Sequence, residues 1–333
     1  MRPRGFVLMV ACLLLVALLA PHTKSAADSP QTVHLALVAY STPRDAFGAV
    51  IKAFQATPQG QNVVVDESYG GSGEQSRAVL AGLPADIVAF SLEPDVTRLV
   101  QGGLVGQDWR QTKTHGMVTR SVVVFIVRKG NPKHISDWND LVKPQVDVIT
   151  PNPFTSGGAR WNIAAAYGAQ LKQGKTQDQA AAYLRTLFSH ISVQDKSARE
   201  ALQTFVGGKG DVMIAYESEA ILAQRKGLAV DYLIPPSTIL IENPIAVISS
   251  SQHPAQARAL VDFFLSSAGQ RILASYGYRP VNPEASNGKT KGATPFTIAS
   301  LGGWTDVDQR LFDADTGVVA KIEQDLGLGS AGR

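Results

Sequence analysis

Short β-branched runs alternate with helical periodicity along almost the whole chain, and this alternation narrows the fold more than any other feature. Val33-His34-Leu35-Ala36-Leu37-Val38 reads as a strand. Phe47, Val50, Ile51 and Phe54 follow at i, i+3, i+4 and i+7, one face of a helix. Val63-Val64-Val65 and residues 86–90, 121–127, 146–149 and 211–215 read as further strands. Helical faces return at Ala180, Tyr183, Leu184, Leu187, Phe188 and Ile191, and again at Ala257, Leu260, Val261, Phe264 and Leu265. The pattern predicts an α/β architecture with parallel sheets covered on both faces. No internal repeat and no low-complexity linker interrupts it, so two lobes that share strands are expected rather than separate beads.

The N-terminus is read apart from this pattern. Arg2 and Arg4 precede an apolar run of 15 residues, Phe6 to Ala20, which Pro21 breaks before Ser25-Ala26-Ala27. A basic start, a short apolar stretch and small residues for cleavage form a secretory signal peptide, here expected to span residues 1–27 with cleavage near Ala27. It holds Arg2, Arg4 and Lys24 of the 31 basic residues and none of the 28 acidic ones, so the exported chain carries equal numbers of each. That balance gives no argument for nucleic acid or anionic lipid. The single cysteine, Cys12, falls inside the leader, which leaves no disulfide and no thiol chemistry in the exported protein.

Several helices begin alike. Thr42-Pro43-Arg44-Asp45 reads as a capping box after the first strand, and Ser72 with Gln75 as another after the second. Thr155-Ser156-Gly157-Gly158 leads into the apolar segment around Ala164, and Ser197-Ala198-Arg199-Glu200 precedes Ala201-Leu202. Capping alone accounts for each one, at about 1 kcal/mol apiece. Gly70-Gly71-Ser72-Gly73 and Ser156-Gly157-Gly158, however, hold more glycine than a cap requires. Glycine suits a place where a ligand approaches bare amides, and first-turn N–H groups with a serine hydroxyl make an anion site. Neither loop is a P-loop, because no lysine closes it. Six scattered histidines offer no zinc spacing, and Gly70 to Glu74 matches a nucleophile elbow only loosely. The residues thus favour binding over catalysis, and no metal or cofactor is expected.

These residues resemble the bacterial periplasmic sulfate-binding proteins, the substrate-binding subunits of the sulfate/thiosulfate ABC importer. The resemblance lies in residues 152–161, Asn-Pro-Phe-Thr-Ser-Gly-Gly-Ala-Arg-Trp, where Phe154 replaces the family's usual lysine. It continues in residues 60–68, Gly70-Gly71-Ser72-Gly73, residues 127–132, Trp138-Asn139-Asp140-Leu141 and Gly302-Gly303-Trp304-Thr305, and runs from about Val33 to Phe312. It implies a type II periplasmic-binding-protein fold, two α/β lobes joined by two crossing hinge strands near residues 121–127 and 244–248. One lobe would comprise residues 28–122 and 245–333, the other 123–244, with the ligand cleft between them. It also implies that neutral donors bind one desolvated sulfate. These would be the amides of Ser41, Gly157, Gly158 and Ala198, the hydroxyls of Ser72 and Ser156, and Tyr216 where the family has an indole N–H. Arg160 and Arg199 would stand behind them, bonded to carbonyls or other side chains.

The resemblance further implies a non-enzymatic periplasmic receptor, with a monomer as the expected state. It would deliver sulfate, or thiosulfate, to a membrane permease served by a cytoplasmic ATPase. Molybdate, tungstate or phosphate remains an alternative ligand on the same fold. An exported serine hydrolase using Ser72 or Ser156 is the alternative from another class, and it would need a histidine within hydrogen-bond reach.

Overall fold

The computed structural model describes residues 32–282 and 294–328. The expected signal peptide, with Cys12 and the cleavage position, lies outside them. Among the described residues there are nine strands: β1 (Val33–Tyr40), β2 (Val63–Gly70), β3 (Ile87–Ala89), β4 (Met117–Arg128), β5 (Val148–Ile149), β6 (Ile191–Val193), β7 (Val212–Tyr216), β8 (Val230–Leu233) and β9 (Leu240–Val247). Helices α1 (Arg44–Gln55), α2 (Ser72–Leu80) and α3 (Glu93–Gln101) alternate with the early strands. Then come α4 (Gly157–Lys172), α5 (Gln177–Ser189), α6 (Ala198–Val206) and α7 (Glu217–Arg225). The last are α8 (Pro254–Leu265), α9 (Ser267–Ser275), α10 (Gly303–Val307) and α11 (Val318–Asp325).

The strand order is β2-β1-β3-β9-β4-β7-β5-β6, with β8 paired to β4. Within it the same arrangement occurs twice. In one half β1 is central, parallel to β2 and β3, and β9 runs antiparallel beside β3. In the other half β5 is central, parallel to β6 and β7, and β4 runs antiparallel beside β7. The antiparallel strands join the halves, since residues 117–122 of β4 pair with residues 240–244 of β9. The sheet is therefore mixed, where the sequence pattern predicts parallel sheets. The exceptions are the strands that pass from one half to the other, because a returning strand arrives with the opposite sense.

The long strands are apolar on both sides because both faces are covered. Val122, Val124 and Ile126 of β4 pack with Phe205 and Met213 on one face. Val123, Phe125 and Val127 pack with Trp138 and Trp161 on the other. In β1, Leu35, Leu37 and Ala39 meet Phe47 of α1 and Phe264 of α8, while Val38 faces Val96 and Leu99 of α3. Fully burying one such side chain is worth roughly 1.5–3 kcal/mol, so these interdigitated faces hold the sheet rigid behind its loops. No described helix is long and apolar enough to cross a membrane.

Candidate functional site

Six strand-to-helix junctions meet where the two halves face each other. Ser41 follows β1, Ser72 opens α2 after β2, and Ser91 follows β3. From the other half, Ser156 precedes α4, Ala198 opens α6, and Tyr216 ends β7 before α7. In open α/β sheets the carboxyl ends of the strands are where ligands bind, because helix N-termini point their free amides there.

The geometry draws most of these residues together. A Cβ on Gly158 would stand 3.4 Å from Ser156 Oγ, 3.5 Å from Ala198 Cβ and 3.8 Å from Tyr216 Cε1. A Cβ on Gly157 would stand 2.7 Å from Ser91 Cβ and 2.9 Å from its Oγ. The Ser91 amide donates to Ser72 Oγ at 2.9 Å, and the Ser91 hydroxyl lies 2.6 Å from the Tyr216 hydroxyl. All of these residues are buried. Ser41 is buried too, and its neighbour Thr42 lines a cavity of about 170 Å³ with Arg199 and Glu219. Among the described residues, no protein acceptor engages the amides of Gly157, Gly158 or Ala198. The Ser156 hydroxyl accepts from the Ala159 amide at 3.4 Å, which leaves its own proton to give.

Two helix starts differ from the sequence expectation. Helix α1 has Pro43 at its N-cap with no side-chain cap, and Asp45 instead reaches across to Lys226 and Arg199. Helix α2 has Gly71 as its N-cap, and the Ser72 hydroxyl donates to the buried Asp95 carboxylate at 2.6 Å. The Ser72 oxygen accepts the Ser91 amide at 2.9 Å rather than a helix amide, and its proton goes to the carboxylate in a charge-assisted bond. Asp95 also receives Arg98 at 2.9 Å. Ser156 and Ser197 do cap, accepting from Ala159 and Glu200.

The glycines of the α2 loop have a different reason from the one expected. The Gly73 amide donates to the Thr155 carbonyl at 3.1 Å, and a Cβ on Gly71 would stand 2.7 Å from that same oxygen. These glycines let the backbone of the other half approach. In α4, Gly157 does the same for the Ser91 side chain.

The two arginines take protein partners. Arg160 donates to the Pro153 carbonyl at 2.9 Å and pairs with Asp308 at 3.1 Å. Arg199 lies 3.5 Å from Asp45. Burial alone would raise the Asp45 carboxyl, but Lys226 and Arg199 outweigh it and hold the group below the usual carboxylate range. Burial raises the Tyr216 phenol well above its ordinary value, so it remains a hydrogen-bond donor. Burial also pushes the Glu219 carboxyl up to about 7, although that carboxylate accepts the Tyr216 amide at 3.1 Å.

Ser91 and Asp95 are the participants that the sequence reading misses. Neither sits in a glycine-rich loop. The available signal was positional, since Ser91 follows the third strand of its half as Tyr216 ends the third strand of the other.

This fold with helix N-termini converging between two halves defines a class, and the comparisons agree. Residues 35–279 match the family model described as bacterial extracellular solute-binding protein, and the chain belongs to that family. Within it the chain belongs to the sulfate-binding branch. It is 40% identical over 313 residues to the sulfate-binding protein of Synechococcus elongatus, covering 90% of this chain and 89% of the relative. The structure of the sulfate-binding protein SubI from Mycobacterium tuberculosis superposes with a TM-score of 0.82 at 45% identity, over 84% of this chain and 100% of that one. A thiosulfate-binding protein of Pseudomonas aeruginosa is 37% identical over 261 residues, covering 74% of this chain and 78% of the relative.

Proposed function

We propose that this chain captures sulfate in a cleft between two lobes, residues 28–122 with 245–333 and residues 123–244, and hands it to an ABC importer. The observation that carries the reading is the set of unengaged amides at Gly157, Gly158 and Ala198 beside the Ser156 hydroxyl. Sulfate is fully ionised at neutral pH and needs donors only. Burying a dianion is costly unless it is fully hydrogen-bonded, and several helix N-termini spread that compensation over fixed dipoles. The Ser41 amide and the Ser72 hydroxyl complete the donor set, the latter by turning its proton from Asp95 to the anion. The relatives named for sulfate and thiosulfate support the same ligand class.

Phosphate keeps a proton that calls for a free acceptor. Asp95 holds Arg98 on one oxygen and is freed on the other only when Ser72 turns, so the phosphate titration below decides between the two anions. The hydrolase alternative lacks a base, since the hydrogen-bond partners of Ser72 and Ser156 among the described residues include no histidine. The receptor works in the periplasm after loss of residues 1–27. Closure of the lobes buries the anion, and the closed form docks on a membrane permease served by a cytoplasmic ATPase.

Calorimetric titration of the anion-free exported protein tests the reading. One-to-one sulfate binding with no phosphate heat is expected, and Ser156→Ala should weaken it about 10- to 100-fold, as for a lost bond to a charged group. Thiosulfate and molybdate titrations rank the alternatives. Absence of sulfate heat would overturn the assignment.

A further inference from the structure

The pair of buried hydroxyls between the two halves gives the donor at the Tyr216 position a direction. Ser91 is 0% exposed and Tyr216 is 1% exposed, and their hydroxyl oxygens lie 2.6 Å apart. The Ser91 backbone is fixed on both sides. Its amide donates to Ser72 Oγ at 2.9 Å, and its carbonyl accepts Trp161 Nε1 at 2.8 Å and Asn243 Nδ2 at 2.9 Å.

Asn243 is itself oriented. Its Oδ1 accepts from the Tyr40 hydroxyl at 3.1 Å and from Thr119 Oγ1 at 3.0 Å, so its NH2 group must face Ser91 and Tyr216. That NH2 group donates to the Ser91 carbonyl at 2.9 Å, and toward the Tyr216 oxygen it too can act only as a donor, which is the sense in which, against burial, Asn243 lowers the phenol's pKa. With a donor rather than an acceptor on its Asn243 side, the buried Tyr216 hydroxyl has Ser91 Oγ, 2.6 Å away, as the place for its proton. The Ser91 proton is then left over, beside Gly157, whose missing side chain is what admits Ser91 to the α4 amides.

We infer that Ser91 is the hydroxyl that meets the bound anion, and that Tyr216 is a positioning residue behind it in a relay from Asn243 through Tyr216 to Ser91. The inference rests on the anion-site reading above. It differs from that reading in which residue touches the ligand. The relay gives the site a neutral donor whose proton cannot turn elsewhere, which suits an anion that accepts only.

The test is a cycle of Ser91→Ala, Tyr216→Phe and the double variant in the purified exported protein, with sulfate affinity measured by calorimetry and the anion-free thermal midpoint as a fold check. Ser91→Ala should lose about 10- to 150-fold, as for a hydrogen bond to a charged group. Tyr216→Phe should lose less, at most about tenfold, as for a neutral hydrogen bond. The double variant should match Ser91→Ala, because the relay has no end without Ser91. A merely structural role would lower the midpoint of the anion-free protein without this order in affinity. Should Ser91→Ala not fold, Ser91→Gly removes the same hydroxyl without adding bulk. A large loss in Tyr216→Phe with little in Ser91→Ala would overturn the relay and make the phenol the direct donor. Changes under twofold in both would show that the pair only packs. Either result, with wild-type binding intact and Ser156→Ala weakened, leaves the sulfate reading standing. A wild-type protein that takes no sulfate sinks both.

Discussion

The two halves of the sheet share one strand order but contribute different chemistry. Each has a central strand, two parallel neighbours and an antiparallel strand that leads to the other half. The β5–β7 half presents main-chain donors, Gly157 and Gly158 on α4 and Ala198 on α6, with Ser156 as a working cap. The β1–β3 half presents Ser72 and Ser91, whose hydroxyls already have protein partners. Glycine enriches a loop in both halves, yet Gly71 and Gly73 admit the Thr155 carbonyl, while Gly157 admits Ser91. Repeating a topology repeats the place of a site. The side chains in the loops decide what each half offers there, bare amides in one and hydroxyls bonded to Asp95 and Tyr216 in the other.

The strongest way to break this division is Gly157→Asp. The new Cβ would meet Ser91 at 2.7 Å, and a carboxylate would stand beside a dianion. Sulfate affinity measured by calorimetry should fall by about a thousandfold or more, since overpacking and like-charge repulsion add. Gly71→Ala tests the other glycine. It leaves every proposed donor in place but sets a methyl 2.7 Å from the Thr155 carbonyl. Affinity should drop about 10- to 100-fold, in line with overpacking of roughly 1–3 kcal/mol. An unchanged affinity would mean that the halves need not approach so closely to hold the anion.

Glu219 sharpens the comparison from the stability side. Burial raises its carboxyl from 4.5 to about 7, so the folded protein keeps a proton that the unfolded chain releases. The stability linked to that proton is fully present below pH 4.5 and is lost as pH rises to about 7. Glu219→Gln lacks this loss. Its unfolding free energy relative to wild type should rise across that window by up to about 3 kcal/mol and stay level above it, read from denaturant melts at several pH values. A difference that stays flat with pH would remove Glu219 from the account. The smallest effect belongs to Asp45→Asn, which deletes the ion pairs to Arg199 and Lys226 across the halves. Partly exposed pairs contribute about 0–1 kcal/mol, so affinity should fall no more than about fivefold, and the difference from wild type should shrink as salt is added.

The sequence by itself determined the class of fold, because the strand and helix periods of β1, α1, β4, α5 and α8 are local and strong. It also determined the helix starts at Ser156 and Ser197, whose caps bond within three residues along the chain. β6 and β8 escaped it. Ile191, which continues the helical spacing of α5, in fact opens β6 after α5 ends at Ser189, and Val230–Leu233 carries too little alternation to mark β8. The antiparallel insertion of β9 beside β3 depends on partners more than 150 residues apart. Only the tertiary structure decided which hydroxyls are spoken for. Ser72 turns from its expected cap to Asp95, 23 residues on, and Ser91 meets Tyr216 across 125 residues. A cap is written in adjacent residues, whereas a proton shared between two halves of a sheet is set by packing that brings distant oxygens within hydrogen-bond reach.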